Sequence, residues 1–179
     1  TGPHRCKIVG FQKNKLYDQA IDEWQIFIKK FPSDKRQGFA HHYVGTCHLQ
    51  AGQYDDAIKA FNSVLVKFSK FELMDATVLN LGFGYYNRAQ ESKKDADYRQ
   101  AVRVFTKFLT DHSKSKYVPR ALFHRGESSY QLKQLESAAS DYSLLIRNHS
   151  DAEHVPDAYY ALGVTQESLK KNAQAEATY

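Results

Sequence analysis

The stretch HHYVGTCH, residues 41–48, gathers His41, His42, Cys47 and His48 within eight positions. Such a set invites a metal reading. On a helix, however, His41 and His48 share a face at i and i+7, about 10 Å apart along the axis by helical rise. That is too far for one tetrahedral ion whose ligands stand about 2 Å away. No spacing of the H-E-x-x-H kind occurs anywhere. The two cysteines, Cys6 and Cys47, have neither metal-ligand nor redox spacing. The reading is a buried thiol at Cys47, with a Cys6–Cys47 disulfide as the other option. Carboxylates such as Asp55, Asp56, Asp95 and Asp97 fall at positions expected to be exposed on helices. There is no Ser/His/Asp order, nucleophile elbow or Walker loop. GFG, residues 82–84, reads as helix and not as a phosphate cradle. With no convergent acid, base and nucleophile, the chain is expected to be no enzyme and to hold no metal or cofactor.

What recurs instead is chemically silent. GQYDDAIKAF (52–61) returns as ADYRQAVRVF (96–105) and KQLESAASDY (133–142), with a weaker NKLYDQAIDEW at 14–24. Gly45, Gly82, Gly126 and Gly163 are separated by 37, 44 and 37 positions. Twelve residues after three of them stands Ala57, Ala138 or Ala175; after Gly82 the equivalent is Ala101, delayed by a seven-residue insertion around ESKKDAD (91–97). An aromatic follows each alanine by four: Phe61, Phe105, Tyr142 and Tyr179. Ala20 and Trp24 begin the series, with Ile8 in the glycine slot. Self-similarity at this period marks a solenoid of stacked supersecondary units.

Each repeat reads as two helices. Ala57, Phe61, Leu65 and Phe68 form one apolar stripe, repeated by Ala101, Phe105, Leu109, His112 and by Ala138, Tyr142, Ile146, His149. Leu122, Gly126 and Tyr130 mark the core face of a first helix. Gly and Ala recur where the helices approach closely, and that packing must offset the helix penalty of glycine, about 1 kcal/mol. Pro119 and Pro156 suit a first helical turn, where a missing N–H does no harm. FPSD (31–34), FSKF (68–71), HSKS (112–115) and HSDA (149–152) mark helix ends and turns, with His112 and His149 favourably placed against the helix dipole.

Composition narrows the partners. A charged fraction of 25% and a hydrophobic fraction of 42% are ordinary for a folded chain, and no apolar run approaches the roughly 20 residues of a membrane span. The formal charge of +5 tilts mildly towards acidic partners, but the lysines are scattered. Nucleic acid is the rival class. It is disfavoured because most Tyr and Phe residues belong to the repeat core and cannot also serve as stacking platforms.

The recurring residues resemble the tetratricopeptide repeat family, whose motif runs Leu-Gly, Tyr, Ala, Phe and Pro across two antiparallel helices. LNLGFGYY (79–86) supplies Leu81, Gly82 and Tyr85, followed by Ala101 and Phe105; Pro32 fits the closing proline, with Ser69, Ser113 and Ser150 in that slot elsewhere. Departures are His41, Val78, Leu122 and Tyr159 at the early Trp, and Arg125 for the leucine before Gly126. The resemblance implies an all-α, right-handed α-α superhelix of about four and a half helix-turn-helix repeats. It makes residues 1–179 a single solenoid domain, with repeats near 4–33, 34–70, 71–114, 115–151 and 152–179. Both ends look cut, so the polypeptide is expected to continue, with self-association through the cut repeats as a further option. The V-P-x-A-Y-Y-x-L-G form is similar to the bacterial envelope subset of the family, including the β-barrel assembly lipoprotein and the Tol–Pal-associated periplasmic protein. That likeness implies a non-catalytic scaffold in a periplasmic or outer-membrane-associated setting, with a cytosolic adaptor as the alternative.

In this architecture the first helices line the concave face. Counting from each glycine gives Phe39, His42, Tyr43 and Thr46, then Leu79, Asn80, Phe83 and Asn87. Arg120, Phe123, His124 and Glu127 follow, with Tyr160 and Val164 last. Rings supply area while amides and guanidinium fix orientation, which suits an extended or helical peptide or a partner protein. Asn80, Arg120 and His124 occupy slots used by the carboxylate-clamp type of tetratricopeptide domain. His42 and Thr46 replace the basic and amide partners of that clamp, so a broad groove is the expectation.

Overall fold

A computed structural model describes residues 16–170 together with Ala175 and Thr178. Cys6, Ile8, Tyr179 and the expected leading helix near 4–13 lie outside the described residues. The chain divides into two compact units, Thr1–Arg88 and Ala89–Tyr179. Among the described residues there are eight helical elements and no strand. The first unit holds α1 (Tyr17–Lys30), α2 (Gln37–Gln50), α3 (Tyr54–Lys67) and most of α4 (Met74–Ser92). The second holds the end of α4, then α5 (Asp95–Asp111), α6 (Val118–Gln131), α7 (Leu135–Asn148) and α8 (Val155–Ser168). Ala175 and Thr178 are helical as well. The all-α helical repeat expected from the sequence is the fold observed.

The helix boundaries have local causes. Pro119 and Pro156 sit in the first turns of α6 and α8. Phe31, Phe68, His112 and His149 close the second helices, each sending its N–H to a carbonyl four residues back. Inside the four repeats whose turn is described, that turn has one residue in the left-handed region: Gly52 (φ 76°), Lys93 (55°), Lys133 (60°) and Lys170 (60°). Gly52 adopts it freely, whereas a lysine at such a φ costs about 1 kcal/mol or more. After Gly52 and Lys133 the next N–H reaches back to His48 O and Ser129 O, both at 2.9 Å, closing a Schellman turn. The insertion around ESKKDAD lengthens helices rather than the turn. The helices beside it, α4 and α5, have 19 and 17 residues, against 14 in α2 and α3.

Glycine and the aromatic ring meet as expected. A Cβ on Gly45 would lie 2.6 Å from Phe61 Cε1, and one on Gly126 would lie 2.7 Å from Tyr142 Cε1. Both rings are fully buried. The apolar stripe, however, runs in a different register from the expected one. Val64, Phe108 and Leu145, seven residues after the repeat alanine, are 0% exposed, while Leu65, Leu109 and Ile146 are only half-buried. At 100° per residue a seven-residue step falls within about 20° of the alanine, whereas an eight-residue step swings about 80° away. The close crossing at Ala and Gly narrows the buried stripe to its centre line.

One repeat position differs in kind between the units. In the first, Val44 and Ala60 pack within a single apolar cluster with Ala40, Cys47 and Trp24. In the second, the equivalent residues are Arg125 and Asp141, paired by two hydrogen bonds of 2.8 and 2.6 Å from Nε and Nη2. Asp141 is buried, and Arg125 also donates to Thr106 Oγ1 at 3.2 Å. The departure from the motif at Arg125 is thus answered by a second departure on the facing helix.

Candidate partner-binding cleft

In the second unit α6 and α8 run side by side and present matching faces. Arg120, Phe123, Glu127 and Tyr130 follow one another along α6; Asp157, Tyr160 and Val164 do so along α8. Between them opens a cleft of about 300 Å³. Phe123, Glu127 and Tyr130 form one wall and Asp157, Tyr160 and Val164 the other, with Gln131, Ala161 and Tyr142 completing the lining. Tyr142 rises from α7 with its ring against Gly126, so its hydroxyl emerges beside Glu127 and donates to Oε1 at 2.6 Å. Glu127 is therefore fixed by a side chain that the core itself anchors. The Phe123 ring is stacked on His154 at 5.2 Å and packs at 6.0 Å against Tyr142. Tyr160 is 68% exposed, a large ring left at the surface.

The residues expected on the partner face separate into three groups. Phe123, Glu127 and Tyr160 come together in the cleft, with Arg120 exposed one turn away on α6. His124 lies beside it, its ring at 5.8 Å from His154; burial first, then the charges of His154 and Arg120, push its pKa down to about 3. Tyr43, Thr46, Asn80 and Asn87 are half-buried in the first unit. Tyr43 stacks on Trp24 at 5.3 Å, and the Thr46 hydroxyl donates to the His42 carbonyl at 3.0 Å.

His42 and Phe83 belong to the core instead, at 5% exposure each. The reason at His42 is a neighbour distant in sequence. Its Nδ1 lies 2.8 Å from Thr77 Oγ1, and the Thr77 hydroxyl in turn donates to Leu73 O at 2.7 Å. With its proton so committed, the hydroxyl accepts from His42 Nδ1–H. Burial then pushes the imidazole down to about 4, so it stays neutral. A clamp built on the His42 slot has no side chain to offer there. The histidine cluster likewise disperses: His41 packs on Phe68 at 5.5 Å, while His48 pairs through Nδ1 with Gln53 Oε1 at 2.6 Å. Cys47 is fully buried.

Asp157, Tyr130, Gln131 and Tyr142 are cleft residues that counting from the sequence missed. Asp157 stands six before Gly163, as Arg120 stands six before Gly126, so an even count across repeats would have found it. The Tyr142 hydroxyl would not have been found, because that ring reads only as core.

The first unit has a cleft of another character, about 450 Å³ between the start of α2 and the turn that follows α3. Lys35, Lys67 and Lys70 border it, with Phe39, Phe68 and Phe71 beneath. Across both units no helix among the described residues is long and apolar enough to cross a membrane.

Stacked helix pairs with a surface cleft between first helices define a fold of the protein-interaction scaffold type. The chain belongs to the tetratricopeptide repeat family, whose profile matches residues 11–70 and 86–153. Proteins of this family are typically non-catalytic scaffolds. The chain is 30% identical over 105 residues to the uncharacterized protein ycf37 of Guillardia theta, covering 56% of this chain and 57% of that protein. It thus spans little more than half of that relative. Solved structures share the fold at low identity. The MamA RS-1 ArsTM double mutant has a TM-score of 0.79 at 14% identity, over 98% of this chain and 88% of its own. The apo form of RapI has 0.80 at 14% identity, over 96% of this chain and 49% of its own. A thermophilic TPR protein of Thermus thermophilus has 0.63 at 15% identity, over 96% and 84%.

Proposed function

We propose that this chain is a non-catalytic scaffold that holds a peptide segment of a partner protein along its first helices, with the cleft of the second unit as the main anchor. The observation that carries this reading is the exposed Tyr160 facing Phe123 across a cleft whose carboxylate, Glu127, is fixed from the core. Rings already ordered before binding lose little conformational freedom on contact, and such anchors dominate binding energy. Isothermal titration of peptides selected on the purified chain tests it. Tyr160→Ala and Phe123→Ala are expected to weaken binding at least about tenfold, roughly 1.4 kcal/mol; unchanged affinity in both variants overturns the assignment.

The cellular setting we propose is bacterial envelope assembly or maintenance, in the periplasm or at the outer membrane, supported by the V-P-x-A-Y-Y-x-L-G form at 155–163. A cytosolic adaptor of the same fold is the alternative. A reading frame lacking any export signal, or recovery of the protein from the cytosolic fraction, would overturn the envelope placement.

A further inference from the structure

We propose that the cleft between α6 and α8 is a receptor for the guanidinium of an arginine in the partner peptide. This deepens the scaffold reading above and rests on it. The lining joins four rings, Phe123, Tyr130, Tyr160 and the buried Tyr142, to two carboxylates, Glu127 and Asp157. No lysine or arginine is among the lining residues, although the chain carries 25 of them against 20 Asp and Glu. Arg120 and Lys133 border the cleft, both exposed. The charged side chains of the lining itself are therefore opposite in sign to the net charge of the whole molecule.

Aromatic faces attract cations, and a cation held over a ring while paired with a carboxylate gains from both. The chain already shows the ring half of this arrangement: Lys133 Nζ sits 5.7 Å from the Tyr130 ring centroid. Glu127 supplies the other half, because the Tyr142 hydroxyl occupies Oε1 and fixes the plane of the carboxylate. Arginine fits better than lysine. Its planar fork can stack on a ring and donate to a carboxylate together, and it sheds water more readily than an ammonium.

The test uses the whole chain and an array of nonapeptides in a mixed Ala/Ser background. Each position carries Arg, Lys, Glu, norleucine or citrulline, the last being the neutral twin of arginine. Arginine peptides are expected to bind at least about tenfold tighter than their citrulline twins. The Glu127→Gln/Asp157→Asn double variant should bring that ratio close to one, the citrulline twin serving as the reference within each protein. Gln retains an acceptor for Tyr142, and circular dichroism checks folding; the exposed Asp157→Asn alone serves if the pair does not fold. Peptide binding without an arginine preference, or a preference unchanged in the variant, overturns this inference and leaves the scaffold reading standing. Absence of binding to any peptide overturns both.

Discussion

The first unit joins α2 to α3 through Val44 and Ala60; the second joins α6 to α7 at the same repeat position through Arg125 and Asp141. One crossing is apolar and the other ionic, yet the helices pair alike. The difference teaches that the small residue and ring, Gly45 with Phe61 and Gly126 with Tyr142, set the approach of the helices. Residues flanking that contact are open to change, provided they change together. A second contrast follows the outer face. Three residues before the repeat glycine, His42 and Leu79 in the first unit are core, whereas Phe123 and Tyr160 in the second line a cleft. The two units share their packing and differ in what they offer to a partner.

The comparison can be broken most strongly at the shared ring. Phe61→Ala in the first unit is expected to cost about 3–5 kcal/mol in urea unfolding. Tyr142→Phe in the second should cost only about 1 kcal/mol, for the hydrogen bond to Glu127, while weakening peptide capture. A Phe61→Ala loss as small as that of Tyr142→Phe would remove the ring from its central place.

Next comes the flanking pair. Arg125→Leu leaves the buried Asp141 without its countercharge and should cost about 3 kcal/mol, the low end for a broken buried pair because the Arg125 side chain keeps 22% exposure. Adding Asp141→Ala, which restores the apolar character seen at Val44 and Ala60, should recover stability to within about 1 kcal/mol of the parent. No recovery in the double variant would show that the ionic crossing is not interchangeable with the apolar one.

Acid probes one histidine in each unit, the buried His42 and the half-buried His124. The folded pKa of His42, about 4, lies below the ordinary 6.5, so between those values the unfolded chain binds more protons. Stability is complete above about pH 6.5 and falls as pH drops towards 4, by about 3 kcal/mol for a shift of that size. His124, pushed down to about 3, acts in the same direction in the second unit. His42→Asn, which keeps a donor towards Thr77, should flatten the first contribution; equal acid slopes in parent and variant would refute it.

The smallest effects sharpen the comparison at the turns. Gly52→Lys should cost about 1 kcal/mol through backbone strain alone, since nothing lies within 4 Å of a Cβ there. Lys133→Gly should gain a few tenths to 1 kcal/mol, with part of the relief offset by unfolded-chain entropy. Thermal unfolding of the reciprocal pair measures both.

Legibility from sequence followed the range of the interaction. Helices, turns and the glycine–ring contact rest on residues whose size or shape is itself the constraint, so their spacing survives as a period. The stripe register slipped by one because i+7 and i+8 both look apolar; only the tight crossing selects between them. His42 read as outward because its cover, Thr77, comes from 35 residues away on α4. Arg125 was visible as a departure, but Asp141 became its answer only once α7 lay against α6. Of the cleft, Phe123, Glu127 and Tyr160 followed from the period. The Tyr142 hydroxyl did not, because a fully buried ring reads only as core, while its hydroxyl holds Glu127 from beneath.

The Arg125–Asp141 pairing also constrains how such a chain can be recombined. A helix pair duplicated whole carries both charges and remains self-consistent. Moving α7 alone beside α2 would bury an aspartate against valine, and moving α3 beside α6 would strand the arginine. Chimeras cut between repeats should therefore fold, while those cut at the Lys133 turn should not, so that two side chains define the smallest exchangeable module.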